Sequence, residues 1–413
     1  MNKLDRYKVL KERLDFVYKG IHLNRVLALF IWSLANDDCS FFTWRSNLLI
    51  FSSINVCALK FDIGKHRILS TFGRQFRSDH LFIYNSVINR IGEKVSCNNM
   101  LDIGRIPCFY PILAVRLWFS LRSHMTGLAF SYKWKYFVLC LHYCNTIEKL
   151  DKISFQGVEK YLSMYNALDF ENLMTQYMNI RNIETYSLQE GLYSVFKTNI
   201  PRDAVQYENI ETHNLLCWSQ FTINEFASYG ISINRLRLAG YPLKIMKKQM
   251  NSENLFRKCI ILVARDIFRD SNVKLLNILA CFSGDYEFYL KLHPSCDFQY
   301  YSQCAIKHNM SIVSKEIQLK DCLDNRDYDF AIAINTTAYY EALLNGIPCL
   351  RYYDGLFDLT LGYNDVFTSG NEFIERLEGI RNISYEEYQS CIDEILLSSI
   401  GYGVDNYNVI LSE

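Results

Sequence analysis

Residues 329–351 of this 413-residue chain, DFAIAINTTAYYEALLNGIPCLR, restrict its fold more than any other stretch. Phe330 to Ile334 form a short apolar run, bounded sharply enough to be a parallel strand buried on both faces. Asn335, Thr336 and Thr337 follow at once. Their small polar side chains suit a helix cap, because side-chain oxygens there accept from the free N–H groups of the first turn. The pattern predicts a helix through Tyr339–Leu344, a stop at Asn345-Gly346 with Pro348 beyond, and a new strand at Cys349-Leu350. A strand end that meets a hydroxyl-bearing helix N-terminus is a natural anion site, since free N–H groups and the helix dipole point at the same place. Taken alone, the stretch also reads as an ordinary capped helix of an α/β protein.

The same alternation runs through most of the chain. Strands are expected at Tyr161–Tyr165, Ile183–Leu188, Asn214–Trp218 and Arg235–Leu238, with helices at Phe170–Tyr177 and Gln220–Tyr229. Lys244–Asn254 is polar, lysine-rich and without apolar periodicity, and reads as a linker. The alternation then restarts, with strands at Cys259–Ala264, Glu287–Leu292 and Ser311–Val313 and helices at Asn272–Phe282, Tyr300–His308 and Lys320–Asn325. Glu386–Leu397 is a closing amphipathic helix. The expected fold class is therefore α/β, with two doubly wound Rossmann-like domains, 1–243 and 255–413, facing a central cleft. The N-terminal third is harder to parse. Asn47–Ile54, His66–Ser70 and His80–Tyr84 read as strands, and Met1–Lys19 as a charged helix instead of an export signal.

Composition removes several classes. The formal net charge is zero, so no bulk field argues for nucleic acid. The 14 cysteines include no CxxC pair. Cys140 and Cys144 lie one helical turn apart with His142 between them, but a metal site there needs further ligands, and buried thiols are the reading. Free cysteines at this density suggest a reducing, cytoplasmic setting. No stretch qualifies as a transmembrane span. Between Ile103 and Ile147, however, there is no acidic residue, while Arg105, Arg116, Arg122, Lys133 and Lys135 alternate with Trp118, Phe119, Tyr132, Trp134, Tyr136 and Phe137. Such a mixture suits a surface resting on anionic lipid headgroups, and equally a core whose long cations reach outward to water.

Three loops at expected strand ends carry candidate chemistry. In Leu188–Ser194, Glu190 at the end of a strand is placed to act as general base, and Gly191 permits close backbone approach, with Gln189 beside it on an acceptor loop. In Leu290–Pro294, Pro294 fixes the chain just after His293 and presents the imidazole at the strand edge, where it can donate to a phosphate oxygen. The third loop is Asn335-Thr336-Thr337, whose hydroxyls and helix N–H groups would hold phosphate. Glu341, on the same helix face as Thr337, would accept from ribose hydroxyls. Each signal is weak alone. Their joint placement, where two parallel sheets converge, carries the reading.

With these residues in place, the chain resembles GT-B glycosyltransferases of bacterial capsule and O-antigen synthesis, and among them the bacterial sialyltransferase and polysialyltransferase type. In that resemblance Glu190-Gly191 matches the motif that supplies the general base. His293-Pro294 and Thr336-Thr337 match the two motifs that hold the donor phosphate. Gln189 departs from it, standing where that group favours a second acid. Leu188-Gln189-Glu190-Gly191, Trp218-Ser219, Tyr229-Gly230-Ile231 and Ala239-Gly240-Tyr241-Pro242 are similar to capsule transferases more widely and to UDP-N-acetylglucosamine 2-epimerases. The epimerases' Gly-Thr-Arg-Pro loop is absent from Met1–Ile54. The resemblance implies a transferase that moves a sugar from a nucleotide-sugar donor such as CMP-sialic acid to a surface polysaccharide or lipid-linked glycan. No DxD-type metal motif stands at a strand end, and a helix dipole with an imidazole can take a metal's role, so activity without metal or other cofactor is expected. A transferase of CDP-activated polyol phosphate, a UDP-sugar 2-epimerase-like enzyme and a degenerate non-catalytic binding module remain as alternatives.

Overall fold

The computed structural model describes residues 2–37, 44–54, 56, 67–72, 78–99, 105–107, 110–164, 166–192, 202, 204–250, 256–325, 327–334 and 336–412. Two six-stranded parallel sheets organise them. The first contains β1 (Ile68–Phe72), β2 (Val95–Asn99), β3 (Lys160–Ser163), β4 (Glu184–Leu188), β5 (Asn214–Cys217) and β6 (Leu236–Leu238), in the order β6-β5-β4-β3-β1-β2. The second contains β7 (Lys258–Val263), β8 (Glu287–Leu292), β9 (Ser311–Ile312), β10 (Phe330–Ile334), β11 (Cys349–Tyr352) and β12 (Val366–Phe367), in the order β9-β8-β7-β10-β11-β12. In both, strand order reverses beside the first strand, which opens a crevice at the carboxyl ends of β1 and β3 and of β7 and β10.

Burial explains why the strands are legible as unbroken apolar runs. β10 is buried at every residue, as parallel central strands covered on both faces must be. Adjacent residues of the first sheet enter different cores. Ile68, Leu162 and Leu216 join an apolar cluster that continues without a break into the second sheet. Leu69 and Tyr161 face a separate cluster built from N-terminal helical residues such as Tyr7, Ile31 and Leu141.

The helices that matter below are α1 (Ser78–Ile91), α2 (Pro111–Leu121), α3 (Phe130–Leu150), α4 (Asp169–Ile180), α5 (Gln220–Ser228), α6 (Arg269–Ala280), α7 (Phe298–Lys307), α8 (Thr337–Leu344), α9 (Gly370–Asn382), α10 (Tyr385–Ile400) and α11 (Tyr407–Ser412). Two N-terminal expectations are corrected. His80–Tyr84 lies inside α1, whose buried residues His80, Ile83, Tyr84, Val87 and Ile91 recur at helical spacing. Asn47–Ile54 is a strand only at Ser52–Ile54, since Trp44–Phe51 winds as a 3₁₀ helix. Residues 244–250 form neither helix nor strand and lie on the second half, where the Lys248 N–H donates to the Leu344 carbonyl at 2.7 Å.

The two halves are tied where the chain returns after α10. The Tyr241 N–H donates to the Gly401 carbonyl at 3.1 Å, the Asn406 N–H to Ala239 at 2.9 Å, and the Tyr407 hydroxyl to Gly240 at 2.9 Å. Glycine is required at both crossing points. Gly240 has φ +98° and Gly401 φ +68°, and an added Cβ would overlap the Val404 carbonyl oxygen at the first and the Trp218 carbonyl oxygen at the second.

Candidate active site

The carboxyl ends of the two sheets meet at the loop after β4. Gln189 shapes that loop from within. It is fully buried, its amide nitrogen donates to the Gly191 carbonyl at 2.7 Å and to Thr222 Oγ1 at 3.2 Å, and its oxygen accepts from the Trp218 N–H at 2.7 Å. A carboxylate could not make the two donations. The departure from a second acid thus has a local reason, and the Gln189 side chain is turned into the protein. Gly191 follows with open space where a Cβ would stand.

Glu190 points to a partner that sequence reasoning missed. Its Oε2 lies 3.6 Å from Nδ1 of His80, and the two side chains are only 11% and 6% exposed. That separation is an ion-pair approach and exceeds a hydrogen bond. His80 sits in the first turn of α1, after β1, and Glu190 follows β4, so the pair spans the carboxyl end of β3, which lies between those two strands. The helical spacing of the buried residues after His80 was the available signal, and it needs a window longer than five residues.

The second sheet contributes from β8 and β10, which flank β7. Immediately after β8, the Ser295 N–H donates to Nδ1 of His293 at 3.1 Å, and the Ser295 hydroxyl lies 2.9 Å from the same nitrogen. The neutral ring therefore carries its proton on Nε2, the tautomer that can donate to an anion. Pro294 is exposed at the tip, and the Cys296 N–H closes the turn on the His293 carbonyl at 2.9 Å. The Cys296 thiol is pushed up to about 11 by burial, with the nearby Asp266 adding to the shift, so it is no ready nucleophile. Arg265, following Ala264 beyond β7, stacks over Phe268 at 5.7 Å and brings a cation to the same sheet end, another residue the sequence reading passed over.

Thr336 caps α8 as expected, its extended backbone placing the hydroxyl to accept from the Ala338 N–H at 3.4 Å. Asn335 lies outside the described residues. Thr337 bridges the halves, because its Oγ1 accepts from the Leu192 N–H at 3.4 Å. The structure thus brings the Glu190–Leu192 loop and the N-terminus of α8 together. Glu341, half-buried one turn on, lies near Tyr241 of the first half, whose hydroxyl is raised well above its usual range by burial first and by the Glu341 charge second. Among the described residues, no group of three or more His, Cys, Asp or Glu could hold a metal. Cys140 and Cys144 are buried free thiols on α3, and His142 Nδ1 donates to the Ser52 carbonyl at 2.7 Å.

No protein-family model matches this chain, and no curated protein matches it. Solved structures do resemble it. UDP-GlcNAc 2-epimerase of Methanocaldococcus jannaschii, in complex with UDP-GlcNAc and UDP, is 12% identical with a TM-score of 0.48, over 84% of this chain and 98% of that one. The lipopolysaccharide outer core galactosyltransferase WaaB is 12% identical with a TM-score of 0.49, over 84% and 99%. Anabaena Alr3699/HepE, in complex with UDP and glucose, is 11% identical with a TM-score of 0.49, over 84% and 98%. At such identities and scores nothing about donor or acceptor passes from those proteins to this chain. The fold itself, two doubly wound parallel sheets meeting at their carboxyl ends, is GT-B.

Proposed function

We propose that this protein is a glycosyltransferase that moves a sugar from a nucleotide-sugar donor to a glycan or lipid-linked acceptor. The observation that carries the reading is the Leu192–Thr337 contact, which sets a buried carboxylate and a capped helix N-terminus on one cleft. In the reaction, Glu190 takes the proton of an acceptor hydroxyl as its oxygen attacks the anomeric carbon. The bond from that carbon to the donor phosphate oxygen breaks, and its electron pair leaves with the nucleotide. His293 Nε2–H, the Thr336 and Thr337 hydroxyls and the α8 N–H groups meet the charge that develops on phosphate. His80 holds Glu190 in place. Glu341 accepts from the donor ribose. An imidazole and a helix dipole supply the role a divalent cation plays elsewhere, so turnover is expected to survive EDTA. Activity abolished by EDTA and restored by magnesium would count against this part.

Thermal shift with CMP, CDP, UDP, GDP and dTDP on the wild type and on His293→Ala tests the reading. One nucleotide is expected to stabilise the wild type, by about 2.7 kcal/mol at a hundred times its Kd, and to lose that effect in the variant. CMP would point to a sialic-acid-like sugar, CDP to polyol phosphate, and UDP to a hexosamine transferase or an epimerase. If none stabilises the wild type at millimolar concentration, the chain is a non-catalytic binding module.

A further inference from the structure

The corner where α2 turns into α3 carries surface that the cleft chemistry leaves unused. α2 buries Ala114, Leu117 and Leu121 against the body of the molecule. Trp118 roots it there, packing edge-on against Phe137 of α3 at 5.1 Å and lying 6.4 Å from Trp134. The opposite face of α2 presents Ile112, Val115 and Phe119, spaced i, i+3 and i+7, so they form one stripe. With Phe130, which opens α3, these side chains are between 59% and 72% exposed. Arg116 and Arg122 are exposed beside them, Lys133 is half-buried in the first turn of α3, and no acidic residue occurs from Ile103 to Ile147. A contiguous apolar stripe kept in water marks an interaction surface.

We propose that this corner docks on the surface of an anionic phospholipid bilayer. Ile112, Val115, Phe119 and Phe130 enter the boundary between headgroups and acyl chains, and Arg116, Arg122 and Lys133 meet lipid phosphate. Charge selects this occupant. A second copy of the chain, paired across a two-fold axis on the same patch, would bring two basic patches together, with no acidic residue between Ile103 and Ile147 on either copy to offset them. The 11-residue α2 is too short to span a bilayer, so it lies along the surface. The inference stands apart from the nucleotide chemistry of the cleft.

Co-sedimentation of the full chain with vesicles of phosphatidylcholine alone, and of phosphatidylcholine with phosphatidylglycerol, tests it. The wild type is expected to bind the phosphatidylglycerol vesicles, weakly or not at all the neutral ones, and less as salt rises. Arg116→Ser with Arg122→Ser should weaken binding about 30-fold, and Ile112→Ser with Phe119→Ser at least as much. Nucleotide thermal shifts should stay unchanged in both. In the wild type, brominated acyl chains should quench tryptophan fluorescence, a readout that needs no variant to fold. Absence of binding to anionic vesicles, or binding that both variants retain, would overturn the proposal. So would a dimer in solution that the Ile112 and Phe119 substitutions dissociate, which would assign the stripe to a second copy.

Discussion

Each half of the molecule holds a buried carboxylate beside a basic side chain, and the two pairs are built in opposite ways. In the second half the Arg351 guanidinium grips Asp365 through Nε and Nη2, both at 2.7 Å, while Nη1 donates to the Thr360 carbonyl and hydroxyl. The arrangement is bidentate and buried inside the second half. In the first half, His80 and Glu190 approach no closer than 3.6 Å and stand at strand ends. Packed interior positions tolerate ionised groups when geometry satisfies them. A looser pair at the mouth of a parallel sheet has room to change partners, which proton transfer demands.

The sharpest test of that contrast is the fate of activity and stability in matched variants. Glu190→Gln should lower turnover by about 10²- to 10⁴-fold while leaving the melting temperature nearly unchanged, checked by steady-state assay and calorimetry. Arg351→Met should do the reverse, lowering stability by about 3–5 kcal/mol because Asp365 is left charged and buried, as denaturant titration will show. If Arg351→Met is as stable as the wild type, the pair is not the structural clamp described. Gly401→Ala should cost about 1–3 kcal/mol from its left-handed backbone alone, and the overlap with Trp218 adds to it, again read by denaturant titration. Gln189→Glu should cost about 1–3 kcal/mol by removing the donation to Gly191, with a larger loss in turnover than in stability because the Glu190 loop shifts. The smallest effect is expected for His80→Asn. It should keep measurable turnover, lowered less than in Glu190→Gln in a steady-state assay, because the amide removes the imidazole that positions Glu190 but leaves the carboxylate itself.

The same contrast explains what could be read from the sequence. Phe330–Ile334 falls where its apolar run places it, because a central parallel strand buried at every residue leaves an uninterrupted signal. Glu287–Leu292 also falls on its expected bounds, with burial confined to Phe288 and Leu290. The Thr336 cap was legible because capping chemistry is local. His80 was not. Its pentad, HLFIY, is equally apolar as a strand or as a helix face, and only the recurrence at Val87 and Ile91 decides for the helix. Its closeness to Glu190 is a property of how β1 and β4 are ordered in the sheet, which no spacing along the chain encodes. Gln189 was legible as following a strand, which it does, but its inward amide depends on Thr222 and Trp218, residues brought there by the next strand and helix.

The helix α11 carries a consequence for assembly. It belongs by contact to the first sheet, where Tyr407 and Leu411 share an apolar cluster with Val87 and Ile91 of α1 and the Lys160 amine donates to the Leu411 carbonyl at 3.1 Å. A ribosome reaches these residues only after the entire second sheet has been synthesised. The half that emerges first must therefore wait with an uncovered greasy face until the other is complete, so the order of synthesis and the order of completion are reversed. During that interval the nascent chain is at its most exposed to aggregation and to chaperone capture.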